Sequence, residues 1–159
     1  MAINPYESPR LPPELQPLAP ATAPRFKLYS PGHMAWATFL GSPLAGCVLL
    51  AINYQRLGES TSAMAAVVAG SIVTLATCTV GFFLPDNFPS LVIPLALTFG
   101  MWAVGKALQR ETVEQHLAKG GEKASAWGAT GVGVVVLLLV IGAIIFAAVV
   151  FLPEAWFPE

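Results

Sequence analysis

Phe39-Leu-Gly-Ser-Pro-Leu-Ala-Gly46 lies in the middle of the first apolar run of the chain, and its reading decides how many times the chain crosses a membrane. The run extends from about His33 to Tyr54. As one helix rising roughly 1.5 Å per residue, it would cover about 33 Å, enough for a hydrocarbon core of about 30 Å. Gly41-Ser42-Pro43 stands against continuity, because proline offers no amide hydrogen to the preceding turn and disfavours helix at the residue before it. Two geometries follow: the helix kinks and continues as a span, or it breaks and returns to the side from which it came. In an unbroken helix, Ala37, Gly41 and Ala45 would form a small-residue stripe suited to close packing.

The surroundings of this stretch call for a membrane. Of 159 residues, 55% are hydrophobic and only 11% are charged, whereas roughly a quarter of an ordinary soluble domain is charged. Eight Lys/Arg and nine Asp/Glu are too few to cover a soluble surface. The net charge is −1 and the basic residues sit beside apolar runs, which excludes a nucleic-acid partner. Cys47 and Cys78 each lie inside an apolar run with no second Cys or His at ligand spacing. They read as small buried hydrophobes, and neither a metal nor a cofactor is expected.

Beyond Tyr54 the spacing predicts three further apolar segments. The second, about residues 63–84, has no charged residue, and Gly70, Thr74, Thr77, Cys78 and Gly81 share one helical face that a neighbouring backbone can approach. Its threonine hydroxyls are expected to bond back to their own helix rather than to line a solute path. Pro85-Asp-Asn-Phe-Pro89 signals a turn. In the third segment, about 88–107, Ala96, Gly100, Ala103 and Ala107 recur at four, three and four, and this small face is expected to pack on that of the second segment as a helical hairpin. Pro94 comes early, where a missing donor costs least.

The polar connection 106–127 begins KALQRETVEQHLAKGGEK, with Arg110 and Glu114 four apart, so the third helix is expected to leave the bilayer and stop at Gly120-Gly121. Glu111, Glu114 and His116 do not share a face and read as a solvated helix surface, not a metal site. The last segment, about 130–152, carries no charge or amide and at roughly 34 Å is the most secure span. Pro153 ends it ahead of Trp156-Phe157, a pair suited to the interface.

Residues 1–31 hold eight of the fourteen prolines and few apolar side chains. They are expected to form a disordered tail preceding a single helical membrane domain, residues 32–158. No cleavable signal is expected, since the first apolar run begins after residue 32. The fold class is therefore all-α: a polytopic membrane protein of four apolar segments, with either four spans or three spans and one re-entrant segment.

Charge bears on that choice. The eight basic residues fall in the tail (Arg10, Arg25, Lys27), the first connection (Arg56) and the third (Lys106, Arg110, Lys119, Lys123). Four spans place at best five of them inside, whereas a returning first segment places all eight inside, as the positive-inside rule prefers. Trp36, Tyr54, Trp102 and Trp127 would then lie near the cytoplasmic boundary. Against this, a re-entrant break exposes unpaired backbone groups unless protein surrounds it, and three helices offer little cover without oligomerising, while a kinked span keeps most of its hydrogen bonds.

The run Tyr29-Ser-Pro-Gly-His-Met-Ala-Trp-Ala-Thr-Phe-Leu-Gly-Ser-Pro-Leu-Ala-Gly46, followed by Asn53-Tyr-Gln-Arg-Leu-Gly58, resembles a pattern in small uncharacterised bacterial membrane proteins. The resemblance covers about 30 of the 159 residues. It implies a multi-pass protein of the bacterial inner membrane and brings no activity with it.

The function expected from these residues is non-enzymatic: an interaction, accessory or immunity-type component acting on the bilayer through helix packing, as a homo-oligomer or with another membrane protein. The packing residues are Ala37, Gly41, Ala45, Gly70, Thr74, Gly81, Ala96, Gly100 and Ala103. An oligomeric channel or transporter is the alternative, with the octet as a re-entrant element. Catalysis would draw on His33, Asn53, Arg56, Glu59 and His116, which stand at segment boundaries and define no cleft.

Overall fold

The structure is a computed structural model that describes residues 24–85 and 87–151. Among them are five helices: α1 (Pro31–Gly41), α2 (Pro43–Arg56), α3 (Ser60–Phe83), α4 (Val92–Ala118) and α5 (Ala126–Phe151). Two short strands, β1 (Lys27–Leu28) and β2 (Glu122–Lys123), pair in parallel. Most of the expected tail, together with Asp86, Trp156 and Phe157, lies outside the described residues. Its end does not: Leu28 and Tyr29 are buried, and β1 joins the α4–α5 connection.

The first apolar segment is two helices, not one kinked helix. A proline opens each, at the position where its missing amide hydrogen costs nothing. Ser42, between them, has φ 120° and ψ 168°, a region occupied almost only by glycine. That one residue reverses the chain. Across the resulting hairpin Gly41 meets Ala45, Gly46 lies against Thr38 and Met34, and Asn53 hydrogen-bonds the backbone of Tyr29. The two open ends of α1 and α2 therefore stand at the same level, and the 11 residues of α1 give the hairpin a depth of roughly 16 Å.

Three helices, α3, α4 and α5, are long and apolar enough to cross a membrane. The α1–α2 hairpin is wedged among them, with α3 packed on α2, and α4 and α5 packed on α1. The core is accordingly the hairpin's own surface: Met34, Ala37, Ala45, Leu49 and Leu50, closed by Ala63 and Ala66 of α3, Met101 of α4, and Ala129 and Val136 of α5. Beyond Val136, α5 presents Leu138, Ile141, Ile145 and Phe146 outward, exposed among the described residues. The far parts of α3 and α4 are bare in the same way.

This arrangement corrects the expected pairing of the second and third segments. Gly70 and Thr74 do pack closely, but on α2: a Cβ on Gly70 would stand 2.5 Å from that of Cys47, and Thr74 Oγ1 accepts a 3.0 Å hydrogen bond from Leu44 N–H. A Cβ on Gly81 or Gly100 would meet nothing within 4 Å among the described residues, and Ala96 and Ala103 are exposed. The covered face of α4 is instead Met101, Gly105, Gln109, Val113 and His116. Helix α4 does extend past Lys106 as expected, and the chain leaves it at Gly120, whose φ is 81°.

Candidate functional site

Two polar places interrupt the apolar body, one at the root of the hairpin and one at its tip. At the root, Asn53 is fully buried and makes three hydrogen bonds. Its Oδ1 accepts from Tyr29 N–H at 2.8 Å, and its Nδ2 donates to Tyr29 O at 2.8 Å and to Gln109 Oε1 at 2.7 Å. One side chain thus joins the start of α1, the end of α2 and the middle of α4. Tyr29 extends the junction, with Arg56 over its ring at 5.6 Å, His33 at its edge, and its hydroxyl against Gly128 of α5. Arg56 also donates to Lys27 O. Gln109 Nε2, His33 Nδ1 and His116 Nε2 are buried without a hydrogen-bond partner among the described residues.

Of the boundary residues named as possible catalytic groups, the fold gathers His33, Asn53 and Arg56 around Tyr29, while Glu59 stands exposed before α3. Asn53 spends both amide hydrogens and one acceptor position on Tyr29 and Gln109, which fastens the hairpin root to α4. No three His, Cys, Asp or Glu among the described residues are placed to hold a metal ion. His116 departs from the solvated surface expected of it: its ring is buried, stacked on Phe26 at 4.8 Å and covered by Gly121. Its neighbours keep to the expectation, with Arg110 bonded to Glu114 at 2.7 Å and Gln115 to Glu111 at 3.2 Å on the exposed side.

The root also collects charge. Arg56 reaches Lys27, β1 lies along β2, and Gly105 touches Pro31, so all seven described basic residues (Arg25, Lys27, Arg56, Lys106, Arg110, Lys119, Lys123) stand toward one end of the helices. The Lys27–Glu122 pair, at 2.7 Å, holds the Glu122 carboxyl below its ordinary range, first by hydrogen bonding and then by charge. Glu114 likewise raises Arg110. Trp127, Trp102 with Lys106 4.7 Å above its ring, and Trp36 bonded to Thr130 Oγ1 are exposed toward this end.

At the tip, the helix break is where the sequence places it, at Gly41, Ser42 and Pro43. Ala37, Gly41 and Ala45 are all buried there, Gly41 against the Gly133 backbone of α5. Ser42 Oγ and Thr38 Oγ1 are shut off from solvent without a partner among the described residues. Thr77 bonds back to Val73 O as expected of the α3 threonines, whereas Thr74 is committed to Leu44. Gln109 is the polar residue sequence reasoning passed over. Its only signal was an amide two turns before His116 on the same face of α4.

No family model matches this chain, and no curated protein or solved structure is significantly similar to it.

Proposed function

We propose that this protein is a non-enzymatic, three-span component of a bacterial inner membrane whose α1–α2 hairpin enters the bilayer from the cytoplasmic side and returns. The Asn53–Tyr29 fastening supports this topology, because it leaves the basic end as one surface, as the positive-inside rule requires of a cytoplasmic face. The hairpin's depth of roughly 16 Å is about half a hydrocarbon core of about 30 Å. Its flanks are covered by α3, α4 and α5, which answers the objection that a re-entrant backbone needs surrounding protein.

Its action, in this reading, is to bind other membrane helices, in a second copy or in a partner protein. The observation that carries it is the bare small residues: a Cβ added at Gly81, Gly100, Gly131 or Gly142 would meet nothing within 4 Å among the described residues, and small residues are what let helix backbones approach in lipid. Purification in mild detergent with identification of what accompanies the chain tests it. Gly100→Leu should leave the single chain's stability unchanged and weaken the assembly at least several-fold. A chain that runs as a monomer under every mild condition, with no companion, refutes it. The second reading, an oligomeric path for a small solute, is favoured by the Ser42 and Thr38 hydroxyls, which have no hydrogen-bond partner among the described residues at the hairpin tip.

A further inference from the structure

We propose that the tip of the α1–α2 hairpin is a binding site for a small monovalent cation, of the ammonium or alkali class. This deepens the second reading above and rests on the hairpin entering the membrane.

The reason lies in which backbone groups are spent at the break. Helix α1 ends with carbonyls that need donors four residues on. For Phe39 that residue is Pro43, which has no N–H. For Leu40 it is Leu44, whose N–H donates to Thr74 Oγ1. For Gly41 it is Ala45, whose N–H donates to Ser42 O. Three successive carbonyls are thus left without a backbone donor, and no side chain among the described residues supplies one. Meanwhile the first two donors of α2, Leu44 N–H and Ala45 N–H, are already used. The break is acceptor-rich, so whatever meets it must bring hydrogen-bond donors or positive charge.

Three further observations bear on the same place. Ser42 Oγ is buried and unpartnered, adding a hydroxyl oxygen to the carbonyls. The negative end of the α1 dipole lies at those carbonyls, beside the positive end of α2. And Ser42 is held at a φ of 120°, where a glycine would relieve the strain while removing the hydroxyl. In hydrocarbon, irregular backbone persists where protein or a polar occupant satisfies it. Neutral carbonyls that replace a hydration shell are a familiar way to hold monovalent cations.

The test measures unfolding of the full-length protein in detergent in sodium, potassium or ammonium chloride, against N-methylglucamine chloride at equal ionic strength. At a concentration about ten times the dissociation constant, binding should lower the unfolding equilibrium constant about tenfold, and saturably. Ser42→Gly should fold and lose most of that dependence. Thr74→Val, which frees Leu44 N–H to turn back to Leu40 O, should weaken it too. Indistinguishable unfolding in all four salts, or the same cation dependence in both variants as in the wild type, overturns the proposal and leaves only water at the tip. Neither result bears on which side the chain ends face, so the topology stands or falls separately.

Discussion

Asn53→Leu tests the fastening at the hairpin root. Leucine keeps the branched outline of asparagine with bulkier methyl ends, so some overpacking adds to the loss of all three hydrogen bonds of Asn53, which leaves Tyr29 N–H, Tyr29 O and Gln109 Oε1 buried without it. Side-chain hydrogen bonds inside membrane proteins average about 0.6 kcal/mol, and typical bonds in soluble proteins reach about 1.5 kcal/mol. Three of them put the loss at about 2 to 4.5 kcal/mol. A double-mutant cycle with Gln109→Leu isolates one of the three and should give a coupling of about 0.6 to 1.5 kcal/mol, because Asn53 and Gln109 touch directly at 2.7 Å. Reversible unfolding in mixed micelles, followed by tryptophan fluorescence, measures both quantities. A destabilisation below about 0.5 kcal/mol with no coupling would mean that the root does not hold the hairpin shut.

Two other substitutions probe different contacts. Gly70→Leu places a side chain where a Cβ alone already stands 2.5 Å from Cys47 Cβ and 3.2 Å from Leu44 Cα. It should destabilise the chain by about 1 to 3 kcal/mol in the same unfolding assay, and a neutral result would contradict the α2–α3 packing. His116→Ala removes a buried ring stacked on Phe26. It should cost about 1 to 3 kcal/mol and increase protease cleavage near Arg25, as the segment before α1 comes loose; unchanged stability and cleavage would return His116 to a solvated surface.

How far the sequence foretold this structure differs from place to place. The three long helices were legible, since they depend on local chemistry: uninterrupted apolar runs, Pro85, and the glycines after Ala118, although each begins three or four residues from where the apolar run suggests. The break at Gly41-Ser42-Pro43 was legible too, but its consequence was not. A kink and a reversal use the same residues and differ in one backbone angle at Ser42. What selects the reversal is distant: Asn53 meeting Tyr29, 24 residues earlier, and Gln109, 56 residues later.

The buried face of α4 was misread for the same reason. Ala96, Gly100 and Ala103 form the more obvious small stripe, whereas the face that packs carries Met101, Gly105 and Gln109. An amide counts against burial until its partner is known. The docking of Leu28 and Tyr29 was likewise hidden in a proline-rich composition that offers no periodicity. The charge count did carry long-range information, since the seven described basic residues, scattered along the sequence, stand toward one end of the helices.

The re-entrant hairpin is the claim on which the rest depends, and cysteine accessibility tests it most directly. With Cys47 and Cys78 replaced by alanine, single cysteines at Arg25, Ala118 and Ser90 are exposed to a membrane-impermeant maleimide in intact cells and again after permeabilisation. The account predicts that positions 25 and 118 behave alike, reacting only after permeabilisation, while position 90 reacts in intact cells. Reaction of position 25 together with position 90, and not with 118, would show that residues 31–56 cross the membrane and would contradict it.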